Sequence, residues 1–449
     1  MTREIGLIEN RRTIFPIKVS IAIALSFCVY LAILSFSNED TNNGLSFLFA
    51  TTAGIVAILT FYYFIRNYCQ RSLLAFAIIF FLLRLVIGVL HYLYFFDEKY
   101  FYVNYTDFDY LEEYMWLFDS MTLFSAGTAG TADAEKVAIA QDLNKNYEMI
   151  FLMSFLFYFG GTKALTVATF NSLVTIYAAF LIYLISLKVN RNVKNATFCF
   201  FILAIQPFEI ITSILSRDTF GQMLVIYSTF LLVFFFSART IFKLLAVLFA
   251  SFTSSLVREV YFVIPLVAGI GSNLFYSIIY HFRDFRKSYI IIFILSLLGA
   301  ASLYPIILET FFWRFFDLNI FEKILSLPVS AITSIVGPFP WTQLLNRVEG
   351  YEYHIPGYLT SVFNLTIFIS LLLFFLNKRP TRIQFMILLL VFIFYLSGIL
   401  VYGGRHTVYY SIAIPLLALF DSESSKLIFS MRFVMVFIFF LILNFIYII

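Results

Sequence analysis

The sequence predicts an all-α polytopic membrane protein of about 13 transmembrane helices, folded as one integral membrane domain over residues 1–449. Three observations predict it. Hydrophobic residues make up 61% of the chain and charged residues 12%, with a mean hydropathy of +0.92, which excludes a water-soluble globular domain. Apolar runs of about 20 residues, the length a helix needs to cross the hydrocarbon core, recur from end to end. Lys and Arg gather in every second connecting segment, as positive-inside topology requires.

The candidate spans fall at residues 14–36, 45–65, 72–96, 163–187, 196–215, 219–237, 241–257, 260–280, 288–308, 359–376, 383–402, 407–420 and 432–449. The first run is too long for a signal-peptide core and no small-residue cleavage site follows it, so an uncleaved helix is expected. With the N-terminus in the cytoplasm, 19 of the 30 Lys and Arg residues fall in short cytoplasmic segments. Arg66 with Arg71, Lys188 with Arg191 and Lys194, and Lys378 with Arg379 and Arg382 are examples. Ten lie on the opposite face and Arg84 lies inside a span. The expected topology is therefore N-in, C-out. Cys28, Cys69 and Cys199 form no CxxC pair and fall in spans or a short turn, so neither a disulfide nor a metal site is expected of them.

Two large polar segments, 97–162 and 309–358, fall on the extracytoplasmic side. The first runs from Asp97 to Glu148 with eleven carboxylates against three lysines. It continues into Met149–Phe159, apolar but too short to span and expected to be an interfacial or re-entrant helix, broken by Gly160-Gly161. Near its start, Asp107-Phe108-Asp109 sits among Tyr102, Tyr105, Tyr110, Tyr114 and Trp116. In an extended segment residues i and i+2 face one side, so both carboxylates can address one cation or one hydroxyl. The chemistry open to them is proton abstraction or ligation of Mg²⁺ or Mn²⁺, with aromatic faces available to stack a sugar ring. A merely solvated acidic loop is the alternative. The second segment carries Arg347 and His354 beside several Tyr and Glu residues.

Unusual charges recur in the tight turns on that same face. Arg217-Asp218, Arg258-Glu259 and Arg405-His406 occupy three such turns, and Glu209 lies about two turns below Arg217, after Pro207. Charge at membrane depth costs ~2.5–3.5 kcal/mol per residue on the insertion scale and marks functional cavities. Guanidinium forks match phosphate oxygens, so these turns suit a phosphate-bearing ligand. Helix capping or pairing with phospholipid headgroups is the alternative for any one turn. Arg84 sits near the middle of the third span with His91 seven residues on, on the same helical face. It reads either as part of a site, or as an arginine snorkelling outward or paired with Glu209 for packing.

The run from Tyr147 to Ser237, with Pro207, Ser213 and Ser216-Arg217-Asp218, resembles the GT-C class of membrane glycosyltransferases. Leu256-Val257-Arg258-Glu259 and Gly404-Arg405-His406 followed by Pro415 resemble it too, and bacterial O-antigen and exopolysaccharide polymerases share the same look. The resemblance implies a polyprenyl-phosphate-linked sugar or oligosaccharide as donor and a multi-pass protein of the bacterial inner membrane. It also implies extension or polymerisation of a surface polysaccharide, with other polysaccharide-assembly proteins and membrane lipid as partners and no nucleic acid. The acidic loop follows the third span here, where that class usually places it after the first, and Asp107 and Asp109 lie ten or more residues past the helix end, so Asp97 and Glu98, at that end, stand beside them as candidate carboxylates. The sequence contains no Walker A, HExxH or GxSxG motif, and no Cys/His set with zinc spacing. A transporter or flippase for the lipid-linked oligosaccharide is the competing reading. It would line a central path with charge at several depths, whereas this chain concentrates its unusual charge on one face.

Overall fold

A computed structural model describes residues 14–39, 43–95, 156, 158–160, 164–205, 217–236, 238–256, 259–272, 276 and 381–400. The described residues are helical almost throughout, with short turns between helices and no strand among them. In chain order the helices are α1 (Ile14–Leu34), α2 (Asn43–Ile65), α3 (Arg71–Phe95), α4 (Ala164–Asn190), α5 (Val193–Ile205), α6 (Arg217–Phe235), α7 (Thr240–Ser255) and α8 (Arg382–Leu400). Between α7 and α8, Glu259–Phe262 forms a 3-10 turn, Val263–Leu266 one α-helical turn and Val267–Gly271 a π-helical turn.

Among the described residues, three helices are long and apolar enough to cross a membrane: Ile14–Leu34, Gly44–Tyr68 and Leu165–Asn190. The last is 89% buried over its most apolar stretch, against 33% and 39% for the other two, so α4 is an interior helix. Shorter apolar helices cover Val193–Ala204, Thr219–Phe235 and Thr240–Ser255.

Local sequence explains where several helices begin and end. Arg191 adopts a left-handed φ of 53° just past α4, with its N–H bonded to the Leu187 carbonyl at 3.0 Å. That is the αL stop usually given to Gly or Asn. Asn192 then starts α5, its Oδ1 accepting from the backbone N–H groups of Lys194 and Asn195 at 2.9 and 3.4 Å. At α8, Thr381 and Gln384 form a reciprocal capping box. The Gln384 N–H reaches Thr381 Oγ1 at 3.3 Å and the Thr381 N–H reaches Gln384 Oε1 at 2.9 Å.

The described residues divide into two compact units. The first contains α1, α2, α3, residues 164–180 of α4, 201–205 of α5 and 217–223 of α6. Small residues let its backbones approach: Ala50, Ala53 and Ala57 form a fully buried row on α2. Beside them, a Cβ added to Gly54 would overlap the Phe81 ring of α3. Near the start of α4, a Cβ at Gly160 would come within 2.8 Å of Leu34 and 2.7 Å of Thr166.

The second unit contains residues 181–190 of α4, 193–200 of α5, 224–235 of α6, then α7, the mixed helical segment and α8. Its α6–α7 contact is a hydroxyl cluster. Ser228 donates to the Ala250 carbonyl at 3.0 Å, lies 2.8 Å from the Thr253 hydroxyl and accepts from Ser254 at 3.0 Å.

Burial on α7 is the reverse of that in a water-soluble helix. Ser251, Thr253 and Ser254 face inward, while Ile241, Leu244, Leu245, Leu248 and Phe252 are exposed. On α1 the exposed row is Ile14, Ile17, Ile21 and Leu25, and on α3 it is Phe76, Ile79, Leu83 and Val86. Apolar side chains turned outward in rows suit contact with lipid tails and are unfavourable against water. At the helix ends, Arg66 lies over Tyr63 at 4.4 Å, Lys188 over Phe234 at 6.0 Å, Lys243 over Phe236 at 4.8 Å and Arg382 over Tyr276 at 5.5 Å. Such cation–aromatic pairs belong at a membrane interface, where the ring stays apolar and the cation stays wet.

Candidate functional site

Arg84 lies in α3 and is 2% exposed, so it does not snorkel toward solvent or lipid. Its Nη1 donates to the backbone carbonyl of Ala204 at 3.2 Å. Ala204 is in the last turn of α5. A cation at a helix C-terminus also meets the negative end of the helix dipole. Arg84 therefore ties α3 to α5 through one backbone carbonyl.

Lateral docking comes from a different set of groups. Phe201 packs edge-on against Phe76 at 4.7 Å and against Phe80 at 5.8 Å. An apolar residue at position 84 can extend that contact. An arginine inside a bilayer costs ~2.5–3.5 kcal/mol to insert, while an interhelical polar contact in a membrane returns ~0.6 kcal/mol on average and at most ~1.7.

Counting along the helices gives its position. Arg84 is 13 residues past Arg71, and Ala204 is 11 past Val193. At 1.5 Å per residue these place Arg84 about 20 Å from Arg71 and Ala204 about 17 Å from Val193 along their helices.

Other polar groups line the first unit. On α4, Thr166, Thr169, Asn171, Ser172 and Thr175 are all buried, and on α6 Thr219 and Gln222 are buried. Thr169 and Ser172 bond back to the carbonyls of Leu165 and Ala168, each at 2.7 Å. The hydroxyls of Tyr30, Thr175 and Thr219 are buried with no hydrogen-bond partner among the described residues. Each is a place where a water or a polar ligand atom gains a hydrogen bond otherwise unmade. Phe220 in the first turn of α6 rests on Phe170 of α4 with centroids 5.7 Å apart. Sequence reasoning that followed charge missed this neutral set. Its signal was the spacing T-x-x-T-x-N-S-x-x-T from Thr166 to Thr175.

Of the candidate site residues, Arg84 has a side-chain contact among the described residues. Arg217 and Asp218 open α6, and Glu259 opens the 3-10 turn. Asp107, Asp109, Glu209, Arg258, Arg347, His354, Arg405 and His406 lie outside the described residues. Among the described residues no group of three or more His, Cys, Asp or Glu is placed to hold a metal ion. No protein-family model, curated protein or solved structure matches the chain.

Proposed function

We propose that this protein is a polytopic membrane glycosyltransferase with about 13 spans, N-in and C-out. It takes sugar from a polyprenyl-phosphate carrier at the extracytoplasmic face and extends or polymerises a cell-surface polysaccharide. The observation that carries the reading is the one-sided placement of unusual charge in the sequence. The acidic aromatic loop and the turns Arg217-Asp218, Arg258-Glu259 and Arg405-His406 share one face, while the other carries ordinary Lys/Arg clusters. The outward apolar rows and the interfacial cation–aromatic pairs support the bilayer setting.

In this mechanism an acceptor hydroxyl attacks the anomeric carbon of the donor sugar. The new bond joins the acceptor oxygen to that carbon as the carbon–oxygen bond to phosphate breaks. The polyprenyl-linked phosphate leaves with the electron pair, and the hydroxyl proton passes to Asp107 or Asp109. Arg217, Arg258, Arg405 and His406 hold the phosphate oxygens, with Arg84, Glu209, Asp218, Glu259, Arg347 and His354 in support. Mg²⁺ or Mn²⁺ held by the Asp107 and Asp109 carboxylates would supply further charge for the phosphate.

The test replaces both Asp107 and Asp109 by Asn and measures polysaccharide output together with protein level and lipid-donor binding. Loss of the base lowers output by roughly 10²–10⁴-fold while level and binding hold. Unchanged output would return the pair to a solvated loop and direct the search to Asp97 and Glu98.

A further inference from the structure

Two turns meet at one end of the second unit, and both are basic. Lys188, in the last turn of α4, holds its Nζ 6.0 Å from the centre of the Phe234 ring at the end of α6, so the α4–α5 turn lies beside the α6–α7 turn. The first turn adds Arg191 and Lys194, both exposed, and the second adds exposed Arg239 and half-buried Lys243. Lys243 is placed by the Phe236 ring, 4.8 Å from its Nζ. Residues 181–200 and 224–256 of this unit contain these five Lys and Arg residues and no Asp or Glu. Like charges crowded into adjacent turns repel, and the stretches that carry them supply no carboxylate to offset it. Arg191 also stands in left-handed backbone, φ 53°, which Gly or Asn adopts more easily. The turn alone gives no reason for arginine there; its charge does.

An apolar strip starts at the same end. Ile241, Leu244, Leu245, Leu248 and Phe252 of α7 are exposed and share one helical face. From Ile241 to Phe252 the strip runs about 17 Å at 1.5 Å per residue, close to one leaflet of a ~30 Å hydrocarbon core. Cations at one end of an apolar strip of that length complement an anionic amphiphile. A water-soluble anion would use the cations and leave the strip bare. A zwitterionic lipid would cover the strip and leave the charge unbalanced.

We propose that this end of the second unit is a site for an anionic phospholipid, with the phosphate between the two basic turns and the acyl chains along the outward face of α7. The site needs a bilayer and not the sugar-transfer reaction, so it stands apart from the function proposed above. By the expected topology it faces the cytoplasm, opposite the turns proposed to hold the donor phosphate.

The test uses the full-length protein in a neutral detergent. Dioleoylphosphatidylglycerol, dioleoylphosphatidylcholine or inorganic phosphate is titrated in, and bound lipid is read by native mass spectrometry. Phosphatidylglycerol binds at least about tenfold more tightly than phosphatidylcholine, and inorganic phosphate at equal concentration does not displace it. Each cation near an anionic lipid surface is worth roughly fivefold in binding, so Lys194→Gln, Arg239→Gln and Lys243→Gln together weaken phosphatidylglycerol by at least about tenfold. Arg66→Gln with Arg71→Gln, exposed in a basic turn of the first unit, changes its affinity by less than about twofold. Equal affinity for the two lipids, or equal losses in the triple variant and the control pair, would reduce the effect to general attraction and overturn the site. Displacement by inorganic phosphate would leave an anion site and reject the lipid. If the triple variant does not accumulate, Arg239→Gln alone decides: a loss of at least about threefold supports the site, and unchanged affinity overturns it.

Discussion

Tyr177 in α4 donates its hydroxyl proton to Ser26 Oγ in α1 at 2.7 Å, with both side chains buried. Ser26 in turn donates to the Ile23 carbonyl at 2.9 Å, so the pair forms a short directional chain. The Tyr177 ring also packs on Phe61 of α2 at 5.0 Å, which brings three helices to one point.

The two ends of that bond are unequal, and this gives the first prediction. Tyr177→Phe keeps the ring contact and leaves Ser26 still bonded to Ile23, so it costs roughly 0.5–1.5 kcal/mol. Ser26→Ala strands a buried phenol hydroxyl and costs more, roughly 1–3 kcal/mol. Thermal unfolding in detergent ranks the two; a larger loss in Tyr177→Phe would show that the phenol finds another acceptor.

Gly54 offers a cleaner steric test. A methyl group there would overlap the buried Phe81 ring, so Gly54→Ala destabilises by about 1–3 kcal/mol. Phe81→Leu opens space beside it. The double variant is then less destabilised than the sum of the singles, with a coupling of roughly 0.5–3 kcal/mol. Additive losses in the cycle would mean that α2 and α3 separate to make room.

Topology is the third prediction. The split of 19 basic residues against ten puts the 97–162 loop outside the cell membrane. A single cysteine at Ser125 should react with an impermeant reagent in intact cells. Reaction only after permeabilisation would overturn the topology, and the mechanism with it.

The fourth concerns the arginine turns. Arg→Lys at Arg217, Arg258 or Arg405 retains charge but replaces a planar fork by a single ammonium, so each removes most of the transfer activity. Normal activity in the Lys variants would leave headgroup anchoring as their role. Measured separations placing the three on different sides of the helix bundle would dissolve the cluster.

Much of the helical layout was legible in the sequence, because the lengths of apolar runs and the turn chemistry between them are local properties. The run beginning at residue 14, the stop at Asn190-Arg191-Asn192 and the Thr381 start of α8 are written in a few consecutive residues each. The expected span at 196–215 begins three residues earlier, at Val193, with its helix described through Ile205.

What the sequence left open at Arg84 was direction. Its helix is apolar on every side, and lipid tails and protein interior are equally apolar, so hydropathy gives no reason for a side chain to point one way or the other. Snorkelling, pairing with Glu209 and site-lining all fitted the residue type. The tertiary structure excludes snorkelling, because Arg84 is buried and donates to the Ala204 carbonyl of α5, while Glu209 lies outside the described residues. The same holds for Ser251, Thr253 and Ser254 of α7 and for Gly54 of α2. Which face of an apolar helix meets its neighbour is decided by packing between distant segments, and the sequence of one helix does not contain it.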